Sequence, residues 1–353
     1  MNILHLQPSL DLTNGVSKAI YLLAKHLGCD IKSSILSFGG DAVTKYQKEN
    51  ITVTFIPGKK KIRNIIKHIL YIKKYCLKNK IDIIHSHHRY FDLLSYIISK
   101  QIKIRTITTV HSKVYGKKYV SYKSDYLIAV SDSIKKHLIS HFKIKEDKIC
   151  TINNFVDPKE KPDNFNSEEL LKQLNIGLDE LILVFIGRFD KEKGIDILLE
   201  AFKLIQANKS NVIMLLIGNG KELAITKEFC SNFNLRVKII PPVENIYDYY
   251  NLADIIILPS RVDPFPFIML EAGLMKKPLV ASNVDGIAEF IEHNINGIFV
   301  ESENVQSLVD GVKRLIDNPS FRIKLSNNLY QKVLDGFTVD KIIPQYMKFY
   351  RSM

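Results

Sequence analysis

Short, largely apolar runs recur along this chain, and each leads through a turn into a segment whose apolar residues fall at helical spacing. Asn2–Leu6, Ile81–His88, Arg105–His111 and Ser124–Ser131 are the runs of the first half; Leu181–Ile186, Val212–Ile217, Val237–Val243, Ile255–Leu258 and the residues after Pro278 are those of the second. Such runs fit strands buried inside a sheet, and strand-helix alternation through both halves predicts two doubly wound α/β domains. Length agrees, because 353 residues exceed the usual single domain and an apolar content of 46% can fill two cores. Thr151–Asp157 reads as the close of the first domain and the polar, proline-bearing stretch 158–167 as a linker. The expected domains are therefore residues 1–160 and 168–336, with 337–353 an apolar terminal segment able to dock.

Composition narrows the function classes. Cys29, Cys76, Cys150 and Cys230 show no CxxC spacing, which argues against a disulfide framework or a zinc site and for a reducing cytoplasm. Met1–Leu6 is too short for the apolar region of a signal peptide, and no later stretch approaches the roughly 18 apolar residues of a membrane span. Charge is lopsided: residues 1–150 hold 27 Lys and Arg against 10 Asp and Glu, and the remainder 23 against 27. A basic first half seeks an acidic partner; nucleic acid, anionic lipid and phosphorylated small molecules all qualify. Within it, Lys59–Lys80 predicts a basic amphipathic helix with Ile62, Ile65, Ile66, Ile69, Ile72 and Cys76 as its apolar stripe. The stripe is expected to face the core, with Lys60, Arg63, Lys67, Lys74 and Lys78 either solvated or drawn to anionic head groups.

Candidate site residues gather at strand-to-helix turns, where doubly wound folds bind ligands and a helix start offers free N–H groups to an anion. Leu258–Ser282 predicts a strand, a proline-stiffened loop carrying Asp263, a helix from Phe267 to Met275 carrying Glu271, and another strand. Read alone, Asp263 is equally a helix cap and Glu271 a solvated charge. Leu181–Gly194 runs from a strand into a charged loop and a helix over Ile195–Ala207. Gly187 permits close backbone approach there, and Arg188 and Lys193 supply two cations that suit a diphosphate without a metal. Gly15 precedes a helix over Val16–Leu27, and Gly218 follows the strand Val212–Ile217, but neither completes GxGxxG or the P-loop spacing. His85 and His87 share a strand face with no third ligand evident, so no metal site is expected.

Together these segments resemble the signature of the retaining glycosyltransferases of family 4, two-domain enzymes of the GT-B fold in which two glutamates separated by seven residues flank the sugar-nucleotide site. Glu271, followed by Ala272 and Lys277-Pro278, matches the second; Asp263 takes the place of the first, and Pro266 stands where a glycine is more usual. Gly187-Arg188 with Lys193-Gly194 resembles the family's diphosphate clamp, Asn14-Gly15 its paired glycines near the donor diphosphate, and Asn154–Asp157 its interdomain Asn-Gly-Val-Asp, with Phe155 for the glycine. The resemblance implies two Rossmann-like domains facing across a cleft, with the terminal helix crossing back to the first. It also implies roles: Arg188 and Lys193 neutralise the leaving diphosphate, Glu271 holds the ribose and Val243 lies beside the base. Asp263 and the backbone of Phe265, Pro266 and Phe267 position the donor sugar, and His111 approaches it from the other domain.

The implied reaction moves a sugar from a UDP- or GDP-sugar to an acceptor hydroxyl with retained configuration and no metal. A lipid-linked or saccharide precursor of capsule, lipopolysaccharide or O-antigen is the expected acceptor. The basic first domain fits peripheral attachment to the anionic inner face of the cell membrane. Three rivals share some of these features. A GT-B sugar-nucleotide epimerase would use the same donor site, and a two-lobed solute-binding protein would need an export signal. A nucleic-acid-binding protein would explain the charge but leave Asp263, Glu271 and the clamp unaccounted for, so no nucleic-acid partner is expected.

Overall fold

The computed structural model describes residues 1–28 and 30–353; Cys29 lies outside the described residues. The chain divides into two compact units, one formed by Met1–Phe155 with Val339–Met353 and the other by Val156–Thr338.

The first unit is built on seven parallel strands, β1 (Asn2–Leu6), β2 (Lys32–Ser37), β3 (Thr52–Phe55), β4 (Ile83–Ser86), β5 (Arg105–Val110), β6 (Tyr126–Ala129) and β7 (Ile149–Thr151), in the order β3-β2-β1-β4-β5-β6-β7. Leu4, Leu6, Leu36 and Ile84 of the sheet pack with Ile69 and Ile72 of the helix Ile65–Lys78 and with Phe91, Leu94 and Ile98 of the helix Arg89–Ile102. The last helix, Val339–Arg351, belongs to this unit and buries Ile342, Ile343, Tyr346 and Tyr350.

The second unit has six parallel strands, β8 (Leu181–Ile186), β9 (Val212–Ile217), β10 (Val237–Ile240), β11 (Ile255–Leu258), β12 (Leu279–Ser282) and β13 (Ile298–Val300), in the order β10-β9-β8-β11-β12-β13. Every residue of β9 and β11 is buried, which is why these strands read as unbroken apolar runs. Strand order reverses between β1 and β4 in one unit and between β8 and β11 in the other, and such reversals open a crevice at the carboxyl ends of the strands. The ends of the second unit meet in a parallel bridge between Val156 and Thr338, with the Val156 N–H donating to the Phe337 carbonyl at 3.0 Å.

Two expectations about local structure are corrected. Residues 59–80 form a 3-10 turn over Ile62–Asn64 and then the helix Ile65–Lys78, whose buried side is His68, Ile69, Ile72 and Cys76. Ile62 and Ile66, expected on the core stripe, are 87% and 73% exposed. Ile66 lies one residue, about 100° of helical turn, past the line through Ile65, Ile69, Ile72 and Cys76, and Ile62 precedes the α-helical register altogether. Strand β10 stops at Ile240 rather than Val243, because Pro241 and Pro242 have no N–H to give a ladder. Among the described residues no helix is long and apolar enough to cross a membrane.

Candidate active site

The loops leaving β8 and β11 meet at the strand-order reversal of the second unit, and three glycines set the approach of the β8 loop to its neighbours after β9 and β11. Gly187 leaves β8 with φ +157° and Gly218 leaves β9 with φ +148°; a Cβ on Gly218 would lie 1.9 Å from the Gly187 carbonyl oxygen. Gly194 has φ +71°, and a Cβ there would stand 2.0 Å from the carbonyl oxygen of Pro259. A side chain at residue 194 would thus drive the β8 loop off the β11 loop. With glycine there, the Lys193 ammonium reaches across and donates to Asp263 Oδ2 at 2.5 Å.

Asp263 is buried and held on every side. Ser260 Oγ donates to the same oxygen at 3.1 Å, the Asp263 N–H donates to Asp285 Oδ2 at 3.0 Å, and its carbonyl accepts from the Gly286 N–H at 3.2 Å. The helix Phe267–Leu274 starts after Pro266 with no side-chain cap, so Asp263 is not its cap. That helix is buried on nearly all sides, which places Glu271 inside the unit rather than on its surface. Tyr250 on the helix Tyr247–Leu252 donates its hydroxyl to Glu271 Oε2 at 2.6 Å. Burial, and then the Glu271 charge, push the Tyr250 hydroxyl well above its ordinary pKa, so it remains a donor.

Arg188 takes a different course from Lys193. Its guanidinium is 63% exposed and bonded to Asp190 at 3.0 Å and Glu192 at 3.1 Å on its own loop. The rings of Phe265 and Phe267 are buried, Phe265 stacking on Phe337 with centroids 5.7 Å apart, so this segment presents backbone around the extended Pro266. Val243 is half-buried in the loop beyond β10.

Arg261 and Tyr250 were not singled out by spacing. The Arg261 guanidinium grips both oxygens of Asp196 at 2.7 and 2.9 Å, bonds Glu303 at 2.7 Å and donates to the Lys191 carbonyl at 2.6 Å. Its backbone N–H donates to the Glu192 carbonyl at 2.8 Å. Arg261 therefore staples the two loops that carry Lys193 and Asp263. The available signals were an arginine two residues before Asp263 and tyrosines at helical spacing ahead of a strand.

The first unit holds the remaining candidates. Gly15 is the first residue of the helix Gly15–His26; Asn14 is extended at φ −96° and caps it by accepting from the Val16 N–H at 2.9 Å. His111, half-buried after β5, has its Nε2 3.2 Å from His87 Nδ1. A third histidine does stand beside His85 and His87: β1 pairs with β4 so that His5 is in register with His85, and ring nitrogens of all three lie within 4.8 Å of one another.

Residues 13–160 match the family described as Glycosyltransferase Family 4, and residues 166–332 match Glycosyl transferases group 1. An uncharacterised glycosyltransferase of Methanocaldococcus jannaschii is 28% identical over 300 residues, which cover 77% of this chain and 76% of that protein. The Escherichia coli UDP-Gal:alpha-D-GlcNAc-diphosphoundecaprenol alpha-1,3-galactosyltransferase is 23% identical, with 88% and 86% covered. The fold is similar to that of Anabaena HepE, solved in complex with UDP-glucose, at a TM-score of 0.90, 19% identity and 100% coverage of both chains. Two Rossmann-like sheets and two family matches lying end to end lead to one conclusion: this chain is a GT-B glycosyltransferase and belongs to family 4.

Proposed function

We propose that the protein transfers a sugar, with retention of configuration, from a nucleoside-diphosphate sugar to a hydroxyl of a lipid-linked or saccharide precursor of a cell-surface polysaccharide. The reading is carried by the Lys193–Asp263 pair at the strand-order reversal, flanked by Arg188 and followed by the buried Glu271. Arg188 and Lys193 meet the diphosphate, whose negative charge grows as the sugar departs, so the two cations stabilise the transition state more than the bound donor. Asp263, with the backbone of Phe265 to Phe267, orients the donor sugar, and Glu271, fixed by Tyr250, accepts from the ribose hydroxyls. Val243 flanks the base, Gly15, Gly187 and Gly218 admit the donor close to backbone, and His111 addresses the sugar. The cations take the place a metal would have, so activity is expected to survive EDTA.

A lipid-linked acceptor is supported by the name of the Escherichia coli relative and by the outer face of the helix Ile65–Lys78. Ile66, Leu70 and Leu77 are exposed there among Lys67, Lys74 and Lys78, and Ile62 is exposed just ahead of the helix among Lys59, Lys60, Lys61 and Arg63. Lys60 bonds His88 at 3.1 Å and Arg89 bonds the Gly116 carbonyl at 3.2 Å, which brings the loop with exposed Tyr115 and Tyr119 beside the start of that helix. Apolar side chains ringed by cations suit an anionic bilayer surface and not a nucleic acid.

Thermal shift against UDP-, GDP- and ADP-sugars identifies the base, since a ligand at 100 times its Kd stabilises by about 2.7 kcal/mol. NMR of the product then reads the anomeric configuration. An inverted product, or donor epimerised without an acceptor, would refute the proposal.

A further inference from the structure

Three histidines of the first unit stand in a line. His5 Nδ1 lies 3.1 Å from His87 Nε2, and His87 Nδ1 lies 3.2 Å from His111 Nε2. Beyond His5, its Nε2 is 3.5 Å from Ser33 Oγ. The line exists because β1, β4 and β5 are neighbours: His5 is in register with His85, His87 falls two residues on, on the same face, and His111 follows the end of β5. His85 stands aside, with Nδ1 2.7 Å from the Tyr350 hydroxyl and Nε2 2.7 Å from Thr109 Oγ1.

Burial keeps these rings uncharged: it lowers His5 to about 3 and His111 to about 4, and, with the neighbouring imidazoles adding to it, takes His87 well below its ordinary value. A neutral imidazole has one N–H and one lone pair, so three rings joined nitrogen to nitrogen must all donate in the same direction. If they donate toward Ser33, the His5 Nε2–H is a buried donor with only a 3.5 Å partner. If they donate toward His111, the weak contact falls on a lone pair instead, which costs less than an unsatisfied N–H.

We infer that His5 and His87 are positioning residues that fix His111 as its Nδ1–H tautomer, so that its outward nitrogen is a hydrogen-bond donor. In the glycosyltransferase reading, on which the functional half of this inference rests, that donor addresses an oxygen of the sugar. A divalent metal on His5, His85 and His87 is the competing use of the cluster, and it would have to take a nitrogen of His85 from Thr109 or Tyr350.

Two-bond proton-nitrogen correlation spectra of the full chain, labelled with nitrogen-15 histidine, test the inference at neutral pH, with His111→Asn assigning the signal. The expected pattern for His111 in the unaltered protein is Nδ1–H. It moves toward Nε2–H in His87→Phe and in His5→Phe, although His5 does not touch His111, and stays unchanged in Tyr350→Phe. An Nε2–H pattern in the unaltered protein overturns the inference even if no variant folds, as does a His111 signal indifferent to His5→Phe in a folded protein. Stoichiometric zinc retained through dialysis and lost in His5→Phe overturns it in favour of the metal. Turnover is expected to fall about tenfold in His87→Phe, near the value of one hydrogen bond. Full turnover in His111→Ala would refute the sugar-facing role of His111, a separate failure from that of the tautomer.

Discussion

Lys193 Nζ and Asp263 Oδ2 are 2.5 Å apart although 70 residues separate them, and the contact spans the reversal between β8 and β11. Removing either charge leaves its partner without the opposite charge in a largely buried place. Asp263→Asn is expected to cost about 1–3 kcal/mol in urea unfolding and to lower kcat about a hundredfold or more. Asp263→Glu is expected to retain partial activity, because Pro264 and Pro266 limit how far the loop adjusts. The double variant Lys193→Met with Asp263→Asn will lose less than the sum of the singles if the pair acts as a unit, and strict additivity in both measurements would show that it does not.

Glu271 and Tyr250 divide a different task. Glu271→Gln is expected to raise the donor KM with a smaller effect on kcat, because ribose is held similarly before and during transfer. Tyr250→Phe removes one buried hydrogen bond, so a stability loss of about 1 kcal/mol and a weaker copy of the Glu271→Gln defect are expected. Kinetics in which Glu271→Gln affects kcat alone would place Glu271 at the reacting centre instead.

Gly194→Ala tests the approach of the two loops. Its left-handed φ of +71° and the 2.0 Å contact with the Pro259 carbonyl act in the same direction. A loss of at least 1–2 kcal/mol from the backbone conformation alone is expected, with a further fall in the thermal shift given by the nucleotide sugar. A variant as stable as the parent with an undiminished shift would mean that the loops tolerate separation.

Membrane attachment is expected to need both kinds of side chain on the outer face of the helix Ile65–Lys78. Ile66→Asp with Leu70→Asp is expected to reduce sedimentation with anionic vesicles at all salt concentrations. Replacing Lys59, Lys60 and Lys61, just ahead of that helix, by Glu removes roughly 1 kcal/mol of attraction per residue and lessens the salt sensitivity. Equal binding to neutral and anionic vesicles would rule out the electrostatic half.

Acid is expected to weaken the first unit early. His5 and His111 are lowered to about 3 and about 4, His85 and His87 are lowered as well, and the unfolded chain titrates near 6.5. Below about pH 6.5 the unfolded state therefore binds more protons, and the stability these histidines contribute, complete above that pH, is lost as the pH falls toward their folded values. Urea midpoints at pH 7.5 and pH 5, followed by a probe in the first unit, read this slope, and His5→Phe is expected to flatten it.

Much of the fold was legible because buried parallel strands leave apolar runs and glycines mark the turns that follow them. Asp263, Arg188 and Lys193 were singled out as candidates by their place at such turns, and Glu271 by the resemblance of its segment to the family 4 signature. Their partners were not, because contacts across a sheet depend on strand order: Lys193 meets Asp263 only once β8 lies beside β11, and His5 joins His85 only once β1 lies beside β4. Helical periodicity also misled at Ile62 and Ile66, because the α-helix starts only at Ile65, after Ile62, and Ile66 lies about 100° off its buried line. Arg261 looked like an ordinary charge until the chain brought Asp196, Glu303 and the Lys191 carbonyl around it.

The bridge between Val156 and Thr338 has a consequence for modular exchange. The second unit is one continuous insert whose ends leave side by side, so a homologous unit can replace it through two junctions a single bridge apart. The first unit cannot be moved as one piece: its last segment returns from beyond the insert and places the Tyr350 hydroxyl against His85. A stop codon after Thr338 would therefore injure the half of the protein that was translated first.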